Sequence, residues 1–134
     1  MNIVIVGCGR MGAHVATILD QRGHQVSIVD QRPVAFQRLL SDFTGLSIIG
    51  TGIDEDVLRS AGIADADVFI ALTDRDNTNL MAAQVAKEVF GVKSVSARVY
   101  DPIRAEIFAD MGIETVCVTT FVTDLMLKRL ALLE

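Results

Sequence analysis

A chain of 134 residues, 51% of them hydrophobic, has the length of one domain and enough apolar side chain for one continuous core. A formal net charge of −5, with a single Tyr and no Trp, excludes the basic, aromatic-lined surface that nucleic-acid binding needs. The apolar residues come in short runs, never the roughly 20 in succession that a membrane span requires, so direct membrane insertion is excluded.

Runs rich in Val and Ile alternate with segments of helical period, the pattern of strand-helix units around a parallel sheet. The first predicted strand, Ile3 to Val6, opens the chain without a basic leader, from which a cytoplasmic location is expected. It gives way at Gly7 to a helix starting near Arg10 and ended by Gly23. Strand Gln25 to Val29 follows, then a helix that Pro33 can open at its first turn. Strand Leu46 to Ile49 leads to a helix near Asp54 that Gly62 follows. Strand Val68 to Leu72 leads to a helix near Thr78 that Gly91 follows, and strand Ser94 to Arg98 to a helix from Pro102 that Gly112 follows. The last pair is strand Thr115 to Val118 and a helix from Phe121. Strict alternation over 1–134 predicts one α/β domain, a Rossmann-type doubly wound sheet of six parallel strands with helices on both faces.

The last segment, 121–134, carries Phe121, Val122, Leu125, Met126, Leu127, Leu130, Ala131, Leu132 and Leu133, a wider apolar surface than one core-facing stripe. It is expected at a subunit interface, in at least a homodimer. Cys8 and Cys117 lie far apart, with no CxxC and no His at ligand spacing, and read as small buried residues of a reducing compartment.

The sharpest local signal is Gly7-Cys8-Gly9-Arg10-Met11-Gly12, directly after the first strand. The first glycine permits a tight turn, the second lets the backbone approach a pyrophosphate, and the third allows close helix-sheet packing. Free N–H groups and the positive dipole end of the helix then face the phosphates. Asp30 ends the second strand about 20 residues on, where a carboxylate accepts hydrogen bonds from ribose hydroxyls and repels a 2′-phosphate. NAD(H) or an adenine nucleotide (ATP, ADP or AMP) is expected over NADP(H), with Gln31 and Arg32 beside the ribose; Arg32 keeps a small opening for NADP(H).

With these residues, the chain resembles the nucleotide-binding N-terminal domain of the TrkA/KtrA family, the RCK or KTN domain of cytosolic potassium-transport regulators. The likeness continues through Ile48-Ile49-Gly50-Thr51-Gly52, Ala61-Gly62-Ile63, the run Ala71-Leu72-Thr73-Asp74-Arg75-Asp76-Asn77-Thr78-Asn79, and Ala97-Arg98-Val99 followed by Asp101-Pro102. The resemblance implies that Thr51, Gly52 and Thr73 approach the adenosine side, with Asp74 in the same site, and that Arg98 faces the phosphates or a subunit boundary. Arg10 is a second cation toward the phosphates. Thr73 and Asn79 also suit capping of the fourth helix, Asp76 its first-turn dipole, and Arg98 an ion pair. Many relatives carry an acid directly after the third strand; here it is delayed to Asp54, which suits a helix cap.

The resemblance further implies a ligand-sensing regulatory domain, assembled as a dimer or larger ring, that acts on a membrane potassium-translocating subunit and is held at the inner face of the membrane through it. A small NAD-dependent oxidoreductase, or a fragment of one, is the alternative, and a scaffold that only oligomerises is a third. The chain offers no substrate domain for hydride transfer, no partnered nucleophile beside His14 or His24, and no Walker lysine after the glycines. A binding module rather than an enzyme is expected, without catalytic residues or metal ligands.

Overall fold

A computed structural model describes residues 1–134. Six strands form it: β1 (Asn2–Val6), β2 (Gln25–Asp30), β3 (Leu46–Ile49), β4 (Val68–Ala71), β5 (Ser94–Val99) and β6 (Glu114–Cys117). All pair in parallel in the order β3-β2-β1-β4-β5-β6, the doubly wound arrangement anticipated from the alternation. The strand order reverses direction between β1 and β4, so a crevice opens there at the carboxyl ends of the strands.

Five α-helices connect and follow the strands: α1 (Arg10–Gln21), α2 (Glu55–Ser60), α3 (Asp76–Gln84), α4 (Pro102–Asp110) and α5 (Val118–Arg129). Alternation of side chains along each strand divides the apolar residues between two faces. On one face Val4, Val6, Val29, Phe69, Ala71 and Val99 are buried with Leu58 of α2, the small residues Ala82, Ala83 and Ala86, and Phe108 of α4. On the other face Ile3, Ile5, Val26 and Ile28 are buried against Ala13 and Ala16 of α1. Small residues on the inward sides of α1 and α3 let these helices lie close to the sheet.

The helix expected from Pro33 is instead a 3₁₀ segment, Pro33–Arg38. Leu39 returns to extended backbone (φ −74°, ψ 144°) and ends the segment as the chain heads for the edge strand β3. Asp54 caps α2, its carboxylate accepting from Asp56 N at 2.8 Å and Val57 N at 3.3 Å. Asp101 caps α4 in the same way through Ile103 N at 2.9 Å, with Pro102 at the first helical position. The helix expected from Phe121 begins three residues earlier, and α5 contains no buried residue: Phe121 is 62% exposed and Met126 59%. No helix is long and apolar enough to cross a membrane.

Candidate functional site

Gly7 turns the chain out of β1 in a left-handed conformation (φ +103°), and a side chain there would press on the backbone of Leu72 and Thr73 at 2.7 Å. Gly12 admits no side chain either, because a Cβ would collide with the Gly7 carbonyl. Gly9 differs from both. Its φ is −79°, open to any residue, and a Cβ there would meet nothing within 4 Å. Packing and backbone geometry therefore give no reason for a glycine at this position. As the N-cap of α1 it also brings no side-chain acceptor to the first-turn N–H groups, which stay available to an anion.

Across from this loop, Asp30 ends β2. Its Oδ2 accepts from Cys8 N at 2.8 Å and its Oδ1 from Arg32 N at 2.9 Å. Below the loop the Cys8 thiol is fully buried and faces the Ala35 carbonyl at 3.4 Å. Burial pushes its pKa up to about 11; the negative charge of Asp30 adds to the rise and Arg38 opposes it. Cys8 thus supplies an inert apolar plug and a backbone N–H, not a nucleophile. Cys117, expected to be buried, is only half-buried.

The far wall is built where β4 and β5 end. Asn79, with no exposed surface, accepts from Thr73 N at 2.9 Å and from the Thr73 hydroxyl at 2.6 Å, and donates to the carbonyls of Thr73 at 3.1 Å and Arg98 at 2.8 Å. The Asp76 carboxylate, 7% exposed, accepts from Tyr100 N at 2.9 Å and Asp101 N at 3.0 Å. The Arg98 guanidinium donates through Nη2 to the carbonyls of Leu72 at 2.7 Å and Thr73 at 3.0 Å and lies 5.1 Å from the Tyr100 ring centre. The Thr-x-x-Asp-x-x-Asn run is therefore a clasp between the two strand ends, and only Thr73 of its three residues lines the crevice.

Gly7, Gly9, Asp30, Gln31, Arg32, Thr73, Asp74 and Arg98 together line a cleft of about 380 Å³ at the carboxyl ends of the strands. Leu72, Arg75 and Thr78, which no spacing singled out, line it too. Gly12 lies beneath the loop, and Met11 places its sulfur 3.6 Å from Arg98 Nη1. Arg10 faces a separate groove with His14 and Arg38. Thr51 and Gly52 do not line this cleft but follow Gly50, which donates to the Asp30 carbonyl at 3.0 Å; the Thr51 hydroxyl accepts from Ile53 N at 3.4 Å, and buried Gly52 leaves room for the Val6 side chain. Three arginines and two aspartates border the opening, so it presents both an anion-binding wall and an acceptor for hydroxyls. A larger hollow of about 560 Å³ sits at the opposite end of the sheet. Two of its charged groups are engaged within the protein, Asp20 with the Thr44 amide and hydroxyl at 2.9 and 2.6 Å and Arg59 with Asp56 at 3.0 Å.

The family model of the TrkA-N domain matches residues 3–119. The chain belongs to the TrkA-N family. The Trk system potassium uptake protein TrkA of Streptomyces coelicolor is 49% identical over 130 residues, 97% of this chain and 58% of that protein. This TrkA-N chain thus spans somewhat more than half the length of that relative. Among solved structures, the Kef C-terminal domain of Shewanella denitrificans in its AMP-bound form superposes with a TM-score of 0.80 at 23% identity, over 97% of this chain and 80% of that one. The GsuK channel bound to NAD superposes with a TM-score of 0.70 at 21% identity, over 86% of this chain and 21% of that one, and GsuK was also solved bound to ADP. These likenesses establish the shared fold.

Proposed function

We propose that this TrkA-N domain is the nucleotide-sensing part of a potassium-transport regulator. It binds NAD(H) or an adenine nucleotide (ATP, ADP or AMP) in the cleft between the glycine loop and the ends of β4 and β5. The phosphates lie over Gly9 against the first-turn N–H groups of α1, with Arg98 on the far wall, and the ribose hydroxyls donate to Asp30. The observation that carries this reading is Gly9: its Cβ position is empty, so the space above the loop is kept clear for something other than the protein. Support also comes from AMP, NAD and ADP in structures of the same fold. Thr51 and Gly52 follow Gly50, whose N–H donates to the Asp30 carbonyl at 3.0 Å, and lie on the adenosine side of the ribose in this reading.

The domain acts by binding, not by turnover. It pairs with a second copy through α5, as a homodimer or within a larger ring, and passes a nucleotide-dependent change of geometry to a membrane-embedded potassium-translocating subunit at the cytoplasmic face. Potassium-uptake relatives and the exposed apolar surface of α5 support this part. Mass spectrometry of ligand released from protein purified without added nucleotide tests it: an adenine nucleotide near one per chain is expected. Steady oxidation or reduction of a nicotinamide cofactor with a simple alcohol or aldehyde would instead favour a small oxidoreductase.

A further inference from the structure

The carboxylate assigned to the ribose also has partners within the protein. Asp30 Oδ2 accepts from Cys8 N at 2.8 Å, at the midpoint of the turn between Gly7 and Gly9. The neighbouring anchors of that turn are Gly7 N on the Val29 carbonyl at 2.7 Å and Ala13 N on the Gly9 carbonyl at 2.9 Å. Cys8 N therefore sits between them, and the carboxylate is its acceptor. Each carboxylate oxygen keeps a second acceptor direction, so holding Cys8 and Arg32 leaves room for two ribose hydroxyls.

We infer that Asp30 is a positioning residue for the phosphate loop as well as the acceptor for the ribose: its bond to Cys8 N fixes the turn so that Gly9 and the first N–H groups of α1 are preset for the phosphates. This rests on the nucleotide-binding reading and goes beyond it, because it gives Asp30 an effect on a ligand that has no ribose. A carboxylate that served only the ribose would repel a bare phosphate, so its removal would leave such a ligand bound equally well or better. A carboxylate that sets the loop has the opposite effect.

Inorganic pyrophosphate, which has phosphates and no ribose, separates the two roles in Asp30→Asn and Asp30→Ala. Both variants lack the charge, but only the Asn side chain retains an oxygen that can accept from Cys8 N. Amide exchange at Cys8, followed by NMR without ligand, is expected to be on the order of tenfold faster in the Ala variant than in the Asn variant. Pyrophosphate titrated against the loop amides is expected to bind Asp30→Asn about fivefold more tightly than Asp30→Ala, the effect of one hydrogen bond. An Ala chain that does not fold while the Asn chain does supports the same dependence on the Cys8 acceptor. Equal Cys8 exchange and equal pyrophosphate affinity in the two variants overturn the positioning role. If the unmodified chain responds to neither pyrophosphate nor ADP, the nucleotide reading falls, while Cys8 exchange still decides the positioning role.

Discussion

Asn79 takes both the amide and the hydroxyl of Thr73 on one oxygen, at 2.9 and 2.6 Å, and returns an N–H to the Thr73 carbonyl at 3.1 Å. Its remaining N–H reaches the Arg98 carbonyl at 2.8 Å, so one buried side chain joins the ends of β4 and β5. Replacing Asn79 by Ala strands the Thr73 N–H and the Arg98 carbonyl without partners in the interior. The expected loss is roughly 2–4 kcal/mol of stability, read as a lower urea midpoint with an unchanged slope. An effect below about 0.5 kcal/mol would show that water replaces the clasp.

A related change is expected at Asp76, which holds the Tyr100 and Asp101 amides at the start of α4. Asp76→Ala removes two charge-assisted bonds and should cost about 1.5–3 kcal/mol. Asp76→Asn keeps a single acceptor oxygen and should fall between the two. Thermal unfolding of the three proteins side by side checks the order.

All six strands were legible in the sequence because short runs rich in Val and Ile recur between helical segments; the central ones, β1, β2, β4 and β5, are also the ones the sheet buries. The glycine loop was equally plain, since Gly7 and Gly12 each answer a local steric demand. Asp76 and Asn79 were less so. A local reading takes them as first-turn helix residues, whereas their partners Tyr100 and Arg98 lie 24 and 19 residues away and have no spacing that announces them. Leu72, Arg75 and Thr78 were missed as cleft residues for a similar reason: they face the opening only because the chain leaves β4 at the reversal of strand order. The segment after Pro33 misled because a proline suits the first turn of an α-helix and of a 3₁₀ turn alike, and here the chain leaves the turn at Leu39 for extended backbone.

Cys8 should make alkaline stability steeper. An unfolded thiol ionises near 9 while the folded one holds its proton to about 11, so the folded state binds more protons between those values. The contribution is complete below pH 9 and is lost as pH rises through 11, amounting to at most roughly 2–3 kcal/mol. The stability difference between wild type and Cys8→Ala, followed by urea denaturation from pH 8 to pH 11, should shrink over this window. A difference constant across it would mean that the thiol ionises alike in both states.

The apolar surface of α5 gives an assembly prediction. Leu125, 42% exposed, lies with Phe121, Val122 and Met126 on a helix that buries nothing, and Leu130 at its C-cap is 64% exposed. Such a patch is rarely left in water by a monomer. Light scattering should find at least a dimer, and Leu125→Glu or Leu130→Glu should shift it toward monomer while only modestly weakening nucleotide binding. A monomeric unmodified protein at high micromolar concentration would remove α5 as the pairing surface.

Calorimetric titration of ADP into wild type and Gly9→Val, with a urea melt of each, bears most directly on nucleotide binding over the glycine loop. Gly9 has an ordinary φ and its Cβ would meet no protein atom, so the Val variant should fold, losing at most about 0.5–2 kcal/mol for the poorer N-cap. Its side chain would fill the space assigned to the phosphates, so wild type should bind ADP at micromolar or tighter concentration and Gly9→Val at least a hundredfold more weakly, a loss of about 2.7 kcal/mol or more. Equal ADP affinity in two folded proteins, or no saturable heat from wild type at millimolar ADP, NAD, ATP or AMP, would contradict nucleotide binding in this cleft.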